Sequence, residues 1–126
     1  MCVKVFLAED SEPVRKAIRI LLSERKDITV VGEAATFSEA IQKAAELQAD
    51  EIIFDLHMAE DAKLCLPAGT KVLAISFAND DQAKAMADSI GAAKLLDKME
   101  LANELIPAVL ELAEVRPPLD SLVDIT

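Results

Sequence analysis

The sequence contains no tryptophan or tyrosine and only four phenylalanines among its 126 residues, although hydrophobic residues make up 52% of it. The interior must therefore be built mainly from aliphatic side chains. No apolar run approaches the roughly 20 residues that a membrane-spanning helix needs. The N-terminal segment meets charged residues too early for a signal peptide and lacks its cleavage pattern. We therefore expect a globular protein of the cytoplasm that makes no contact with a membrane.

Cysteine and positive charge are also scarce. Cys2 and Cys65 are the only cysteines, and they form neither a disulfide framework nor a metal-ligand spacing, which predicts reduced thiols. The single histidine, His57, has no ligand-type neighbours that would favour a zinc site. Lys and Arg number 13 against 23 Asp and Glu, a net charge of −10. Because nucleic-acid phosphates would be repelled, we expect no direct binding of nucleic acid and a surface suited to protein partners.

Strand-like and helix-like segments alternate along the chain, a pattern that predicts a parallel sheet with helices on both faces. The last helix contains Pro107 and ends before the prolines at 117 and 118. Gly91 is expected to terminate the helix before it. The expected helix starts are Ser11 or Asp10 with Pro13 in the first turn, Thr36 in a capping box with Glu39, and Asn79 with Gln82. The predicted strands are residues 3–8, 28–31, 51–54, 71–75 and 94–96.

The connection between the third and fourth strands is unusually short. Only residues 57–70 separate the two strands, and residues 67–69 are typical of a turn. One or two helical turns therefore fit around residues 61–66, so this helix is expected to be short or missing. The sequence shows no repeat and no second domain. We predict a single domain over residues 1–116, with residues 117–126 forming a tail or the start of a linker.

Side chains capable of chemistry follow four of the five predicted strands. In an open parallel sheet the carboxyl ends of the strands lie at one edge, where ligands bind. Taken singly, each residue has a structural explanation, since acidic residues favour helix N-termini and a lysine is usually a solvated surface charge. Their coincidence at one edge is more informative, because together they can hold a divalent metal and a phosphoryl group. These residues are Glu9, Asp10, Asp55, Ser76 and Lys98.

Their order and the surrounding segments resemble the receiver domains of two-component response regulators, the CheY-like family. The resemblance covers about residues 2–115 and implies a doubly wound, flavodoxin-like α/β fold with five parallel strands in the order 2-1-3-4-5. Residues 30–34 are most similar to the NarL/FixJ subgroup, whose receivers precede LuxR-type DNA-binding domains. The matching motifs are VKVFLAED at 3–10, VVGEA at 30–34, DLHM at 55–58, GA at 91–92 and LLDK at 95–98.

The resemblance implies a function and a role for each site residue. A sensor histidine kinase would donate a phosphoryl group to Asp55 in a Mg²⁺-dependent reaction. Lys98 would pair with the phosphoryl group, and Ser76 would donate a hydrogen bond to one of its oxygens. The domain would act as a signalling module rather than as an enzyme, and a homodimer or partner would use the face formed by residues 87–95 and the final helix. The implied magnesium ligands are Glu9, Asp10, Asp55 and the backbone carbonyl of His57.

The sequence departs from the family pattern where the family transmits its signal. Leu95 stands where an aromatic residue is usual, and Met99 replaces the proline that follows the lysine. Phe77 replaces a small residue after the hydroxyl, and Ala59 replaces a proline, ahead of a segment shortened by about seven residues, or two helical turns. The phosphorylation residues are thus present, whereas the switch residues are altered. Because these switch residues are altered, phosphorylation is expected to change the signalling face only modestly, and Ser76 is expected to carry most of the coupling between the phosphorylation site and that face.

Three other functions are weaker interpretations of the same residues. The departures from the family pattern favour a pseudo-receiver, a protein-interaction module that works without phosphorylation. The presence of Glu9, Asp10 and Asp55 together with Lys98 argues against it. A phosphatase of the haloacid-dehalogenase type would need a second aspartate two places after Asp55, where this chain has His57. A flavin-binding protein would need a phosphate-cradling loop after the first strand and an aromatic side chain to stack on the ring. A titration with beryllofluoride and Mg²⁺ would separate the first alternative from a phosphorylated receiver.

Overall fold

The computed structural model describes residues 2–59, 69–78 and 80–114. Within these residues strands and helices alternate as the sequence predicts. The four α-helices are α1 (Glu12–Leu22), α2 (Phe37–Leu47), α3 (Asp81–Ser89) and α4 (Leu101–Ala113). Short 3₁₀ turns, Leu56–Met58 and Lys98–Glu100, follow the third and fifth strands. The five strands are β1 (Val3–Ala8), β2 (Ile28–Ala34), β3 (Glu51–Asp55), β4 (Lys71–Ser76) and β5 (Ala92–Asp97).

The five strands form one parallel sheet in the order β2-β1-β3-β4-β5, which confirms the predicted doubly wound topology. β3 lies in the middle, and all five of its residues are buried. Both faces of the sheet are covered by helices, so the central strands need apolar side chains on each face. Because all strands run the same way, the carboxyl ends of β1, β3, β4 and β5 lie along one edge of the sheet.

The two faces of the sheet are packed with different side chains. The face covered by α1 and α4 is filled by branched residues such as Leu7, Ile53 and Leu105. The face covered by α2 and α3 combines Phe6 and Phe54 with helix alanines, among them Ala40, Ala44, Ala83 and Ala87. The small alanine side chains let the helices approach a sheet that carries large phenylalanine rings, so the space between helix and sheet is filled without voids. As expected from the composition, the core is mainly aliphatic.

Side-chain caps set the starts of α1, α2 and α3, whereas α4 has no side-chain cap. Ser11 caps α1 by accepting a hydrogen bond from the Val14 amide at 3.4 Å, and Thr36 caps α2 by accepting one from the Glu39 amide at 3.3 Å. The predicted cap of α3 at Asn79 is wrong. Asp80 caps this helix through a 2.9 Å bond from the Ala83 amide, because it directly precedes the first helical residue. Asn79 itself lies outside the described residues.

Four strands extend beyond their predicted ends, β3 and β4 by one residue each. β2 is predicted to end at residue 31 but continues to Ala34, although glycine and glutamate disfavour strands. At Gly32 an added Cβ would lie 2.7 Å from Leu47 and 2.9 Å from Phe6, so tertiary packing requires a glycine within this strand. β5 starts at Ala92, two residues before the predicted start at 94, and reaches Asp97. Pro107 lies inside α4 rather than in its first turn.

Three predictions fall outside the described residues: the short helix at 61–66, the environment of Cys65, and the tail at 117–126. The turn predicted at 67–69 is described only at Gly69, which has a positive φ of 98°. Among the described residues, no helix is long and apolar enough to cross a membrane.

Candidate functional site

The carboxyl edge of the sheet brings together the five side chains that the sequence singled out. Glu9 follows β1 directly, Asp55 ends β3, Ser76 ends β4, and Lys98 follows β5. Asp10 lies beside Glu9 and is exposed, whereas Glu9 and Asp55 are buried. Each position is fixed by the parallel register of the strands, since residues 54–55 pair with 74–75 and residue 76 pairs with 97.

Lys98 links the two buried carboxylates. Its Nζ lies 2.7 Å from Glu9 Oε1 and 3.1 Å from Asp55 Oδ1, and its side chain is only 6% exposed. A pair buried to this degree is screened little by salt, so its charges act strongly on one another. Lys98 therefore holds Glu9 and Asp55 in fixed positions around one point.

The Asp55 carboxylate is satisfied on one oxygen and open on the other. Oδ1 accepts a 3.0 Å hydrogen bond from the His57 amide in addition to its contact with Lys98. Oδ2 is buried and has no hydrogen-bond partner among the described residues. A buried, unpaired carboxylate oxygen is costly unless a ligand uses it. Oδ2 is thus the atom available for a metal ion or for covalent chemistry.

Crowding of the carboxylates shifts their pKa values in opposite directions. Burial raises the pKa of Glu9 to about 7, and the neighbouring Asp55 acts in the same direction. The neighbouring carboxyl group of Glu9, and then that of Asp55, lowers the pKa of Asp10. Burial by itself would lower the pKa of Lys98, but its hydrogen bonds to Glu9 and Asp55 outweigh this and raise it. One ammonium is too little charge for three carboxylates, so the cluster favours either a proton on Glu9 or a bound cation.

The carboxylate cluster has the donor chemistry that Mg²⁺ requires. One oxygen from each of Glu9, Asp10 and Asp55 lies within 4.8 Å of the others, the only such group of three potential ligands among the described residues. Mg²⁺ prefers oxygen ligands and retains several waters, and the exposed Asp10 leaves one side of the cluster open to solvent. The residues present therefore fit a magnesium ion.

A cavity of about 420 Å³ lies above Asp55, with Ser76, Phe77 and Lys98 in its walls. Ser76 is half-buried, and its Oγ accepts a 3.0 Å hydrogen bond from the Ala78 amide. Because an oxygen accepts that bond, the hydroxyl proton remains available to donate into the cavity. The cavity is large enough for a phosphoryl group attached to Asp55.

His57 and Met99 lie beside the cluster but differ from the site residues. His57 lies two residues after Asp55 in sequence, and its side chain is exposed. Its backbone belongs to the 3₁₀ turn that begins at Leu56. Met99 is 75% exposed, and its amide donates a 2.8 Å hydrogen bond to Asp97 Oδ1. The described residues contain no cis peptide bond, so Met99 follows Lys98 through a trans bond.

Two site contacts were not anticipated from the sequence. Arg15 donates a 2.7 Å hydrogen bond from Nη1 to the carbonyl of Glu9 and a 3.0 Å bond from Nε to Glu33, so α1 fixes the backbone beside the cluster. The sequence could have indicated this contact, because Arg15 lies one turn after the helix cap and its side chain therefore reaches over the preceding loop. Phe77 was noted only as an unusual residue. Its ring centroid lies 5.0 Å from Lys98 Nζ, within the range of a cation–π contact.

An apolar groove of about 620 Å³ adjoins the site between α1 and the start of α4. Phe77 and Lys98 belong to both the groove and the cavity above Asp55, so the two are continuous. Ile20, Phe77 and Met99 are among the few large apolar side chains exposed in the described part of the chain. An exposed apolar surface next to a charged pocket is typical of a protein-binding site.

Several proteins of known identity are similar in sequence to this chain. No family model matches it. VraR of Staphylococcus epidermidis, a response regulator protein, is 36% identical over 117 residues, which cover 86% of this chain and 56% of the relative. VraR of Staphylococcus aureus is 35% identical over the same length. The chain therefore spans about half the length of these relatives.

Solved structures of response regulators share this fold. The signal receiver domain of the response regulator NarL from Mycobacterium tuberculosis has a TM-score of 0.81 and 28% identity, over 91% of this chain and 98% of that one. CheY6 of R. sphaeroides, solved in complex with the P1 domain of CheA3, has a TM-score of 0.76 and 23% identity, over 90% and 98% of the two chains. The architecture is thus CheY-like. With the sequence relatives, it shows that the chain belongs to the response regulator receiver domains.

Proposed function

We propose that this receiver domain accepts a phosphoryl group on Asp55 in a Mg²⁺-dependent reaction. The observation that carries the proposal is Asp55 Oδ2, a buried carboxylate oxygen without a partner among the described residues, next to a cavity of phosphoryl size. Oδ2 would attack phosphorus in line with the bond to the donor nitrogen. The new O–P bond forms as the P–N bond breaks, and the donor's histidine nitrogen keeps the electron pair.

The chain's own residues would neutralise the charge of the transferred group. Bound Mg²⁺ would supply charge neutralisation at the phosphoryl oxygens. Glu9, Asp10, Asp55 and the His57 carbonyl would hold that ion. Lys98 would meet the phosphoryl group from the other side, where it already contacts Asp55. The hydroxyl of Ser76, at the end of β4, would donate a hydrogen bond to a phosphoryl oxygen after transfer.

The phosphoryl donor would be a histidine kinase that docks at the apolar groove. The groove runs into the cavity above Asp55, so a helix seated there can carry a phosphohistidine to Oδ2. The structural neighbour CheY6, solved with the P1 domain of CheA3, gives a precedent for such a partner. We infer that the domain works in the cytoplasm as a signalling module rather than an enzyme, does not itself bind nucleic acid, and presents α3, β5 and α4 to a partner or second copy.

A pseudo-receiver remains the second candidate, because one observation favours it. Leu95 is half-buried in β5 where an aromatic is usual, and it lacks a hydroxyl and much of the volume that a switch would move. In this case the domain would recognise its partner without phosphorylation. The intact contacts of Lys98 with Glu9 and Asp55 support the first proposal more strongly.

The experiment is labelling by acetyl phosphate or a phosphorylated kinase with and without Mg²⁺. Wild type is expected to acquire a hydroxylamine-sensitive phosphoryl group only with Mg²⁺, and Asp55→Asn none, because an amide cannot become an acyl phosphate. Asp50→Asn, an exposed aspartate just before β3, is the matched control and should be labelled like wild type. Failure of wild type to accept phosphate from every donor would favour the pseudo-receiver.

A further inference from the structure

A second buried carboxylate lies at the opposite end of the same strand. Glu51 begins β3, and its residue is completely inaccessible to solvent. Neither of its carboxylate oxygens has a hydrogen-bond partner among the described residues. Because alternate strand residues share a face, Glu51 lies on the α1–α4 face together with Ile53 and Asp55.

Few charges surround this carboxyl group. Among the described residues, Asp50 and Lys71 are the charged groups that act on it, from the segment before β3 and from β4 respectively. The apolar Val3 of β1 and Ala113 of α4 line the same cavity as Glu51. The charged pair nearest that end of α4, Lys94 with Glu111, is largely exposed and satisfied at 2.9 Å. The cavity at this edge holds about 150 Å³ and is lined by Val3, Asp50, Glu51, Gly69, Lys71 and Ala113.

Lys71 ties this edge of the sheet to the end of α4. Its Nζ donates a 2.7 Å hydrogen bond to the carbonyl of Leu112, across the cavity that Glu51 lines. Leu112 lies in the last turn of α4, where helices commonly leave backbone carbonyls for capping groups. The Lys71 ammonium thus caps the helix and also complements its dipole. It is at the same time the only described cation that acts on Glu51.

We propose that Glu51 is a proton-binding switch that decides whether Lys71 caps the last turn of α4. While Glu51 carries its proton, it needs no counter-charge, and Lys71 stays on the Leu112 carbonyl. When the proton leaves to solvent, an unpaired buried carboxylate is very costly, so the carboxylate draws the Lys71 ammonium towards itself. The last turn of α4 then loses its cap and opens more readily.

The chemistry of the cavity places this switch near neutral pH. Burial raises the pKa of Glu51 to about 8; Lys71 acts against this shift and Asp50 adds to it. Glu51 and its neighbours at this edge are separate from the carboxylates of the candidate metal site, so the switch is independent of phosphorylation and of Mg²⁺. It depends on the burial of Glu51 and on the movement of the Lys71 ammonium between the Leu112 carbonyl and Glu51.

The test is NMR of the isotopically labelled chain between pH 5 and 10. One glutamate carboxyl carbon should titrate near pH 8 and disappear from the titrating set in Glu51→Gln. Amide exchange of residues 111–114 should be on the order of tenfold faster in wild type than in Glu51→Gln at pH 9, after correction for intrinsic rates, and equal at pH 6. Glu51→Leu gives the same comparison if the amide variant folds poorly.

Glu111→Gln is the matched control, since it removes an exposed carboxylate from the same end of α4. This variant should keep the pH-dependent exchange of wild type. Lys71→Met should abolish that pH dependence, because no ammonium remains to be moved. The proposal is overturned if Glu51 titrates at an ordinary glutamate pKa. It is also overturned if Glu51 titrates near pH 8 while the end of α4 exchanges equally in wild type and Glu51→Gln.

Discussion

The two ends of β3 carry two buried carboxylates in contrasting surroundings. Asp55 at the carboxyl end meets Lys98 at 3.1 Å and the His57 amide at 3.0 Å, with Glu9 beyond the same ammonium. Glu51 at the amino end meets no hydrogen-bond donor among the described residues. The difference lies in the loops, since those at the carboxyl edge bring charged groups to one point. Burial alone makes a protonated acid, whereas burial with partners makes a site for ligands.

Removing Lys98 should make the Asp55 end resemble the Glu51 end, with the largest effect on stability. Lys98→Met leaves Glu9 and Asp55 buried without their cation, so the free energy of unfolding should fall by about 3 kcal/mol at pH 8. Urea unfolding measures this change. Lys94→Met breaks a mostly exposed pair with Glu111 and should cost at most about 0.5 kcal/mol. Equal losses in the two variants would mean that the buried cluster does not depend on its cation.

Glu51 should dominate the pH dependence of the free energy of unfolding. The pKa of Glu51 is raised from 4.5 to about 8, so the folded protein binds a proton that the unfolded chain releases. The stabilisation is complete below pH 4.5 and is lost as pH rises through 8, with a slope of at most about 1.4 kcal/mol per pH unit. Glu51→Gln should therefore gain about 2 kcal/mol relative to wild type between pH 6 and 8.

Urea midpoints at a series of pH values provide this measurement. Glu9, whose pKa is raised to about 7, contributes with the same sign, but its contribution is present in both proteins and cancels in the difference. Parallel stability curves for wild type and Glu51→Gln would show that Glu51 is not a protonated acid in the folded state.

Mg²⁺ should act at the Asp55 end of β3 and not at the Glu51 end, and its effect on stability should be smaller than those of the substitutions above. Mg²⁺ relieves the repulsion at Glu9, Asp10 and Asp55, and at ten times its dissociation constant it should stabilise the fold by about 1.4 kcal/mol. Asp10→Asn should weaken binding and lose most of this gain, while Asp50→Asn at the opposite edge should retain it. Thermal unfolding with and without Mg²⁺ provides the comparison. Retention of full affinity in Asp10→Asn would remove these three carboxylates as the metal site.

The smallest expected effect is the structural change that a ligand on Asp55 transmits to the face around residues 87–95. With Leu95 in place of an aromatic, inward and outward positions should differ little in energy, so a ligand on Asp55 has little to select between. Beryllofluoride with Mg²⁺ should shift the amides of residues 76–78 clearly and those of 87–95 only modestly. Ser76→Ala should reduce the modest shifts further. Large shifts across residues 87–95 that persist in Ser76→Ala would show that the coupling follows another route.

Much of the fold and the location of the site were predictable because they depend on periodic patterns. The alternation of strands and helices predicted the sheet, and the common direction of parallel strands predicted that Glu9, Asp55 and Lys98 would meet. The missed helix cap at Asp80 and the longer β2 have local causes. α3 begins at Asp81, so Asp80 occupies the cap position, and Gly32 leaves the space that β2 needs against Leu47 and Phe6.

The sequence by itself determined the alternation of strands and helices, the aliphatic core and the set of chemical groups at the carboxyl edge, since these follow from residue type and spacing. Only the tertiary structure decided what each charged group contacts. A glutamate at the start of a strand looks like a solvated end residue until α4 and its neighbouring strands bury it. Likewise, the contact between Phe77 and Lys98 joins two distant loops. Desolvation and long-range contacts are properties of the packed molecule, and they decide which carboxylate becomes a site and which becomes a neutral acid.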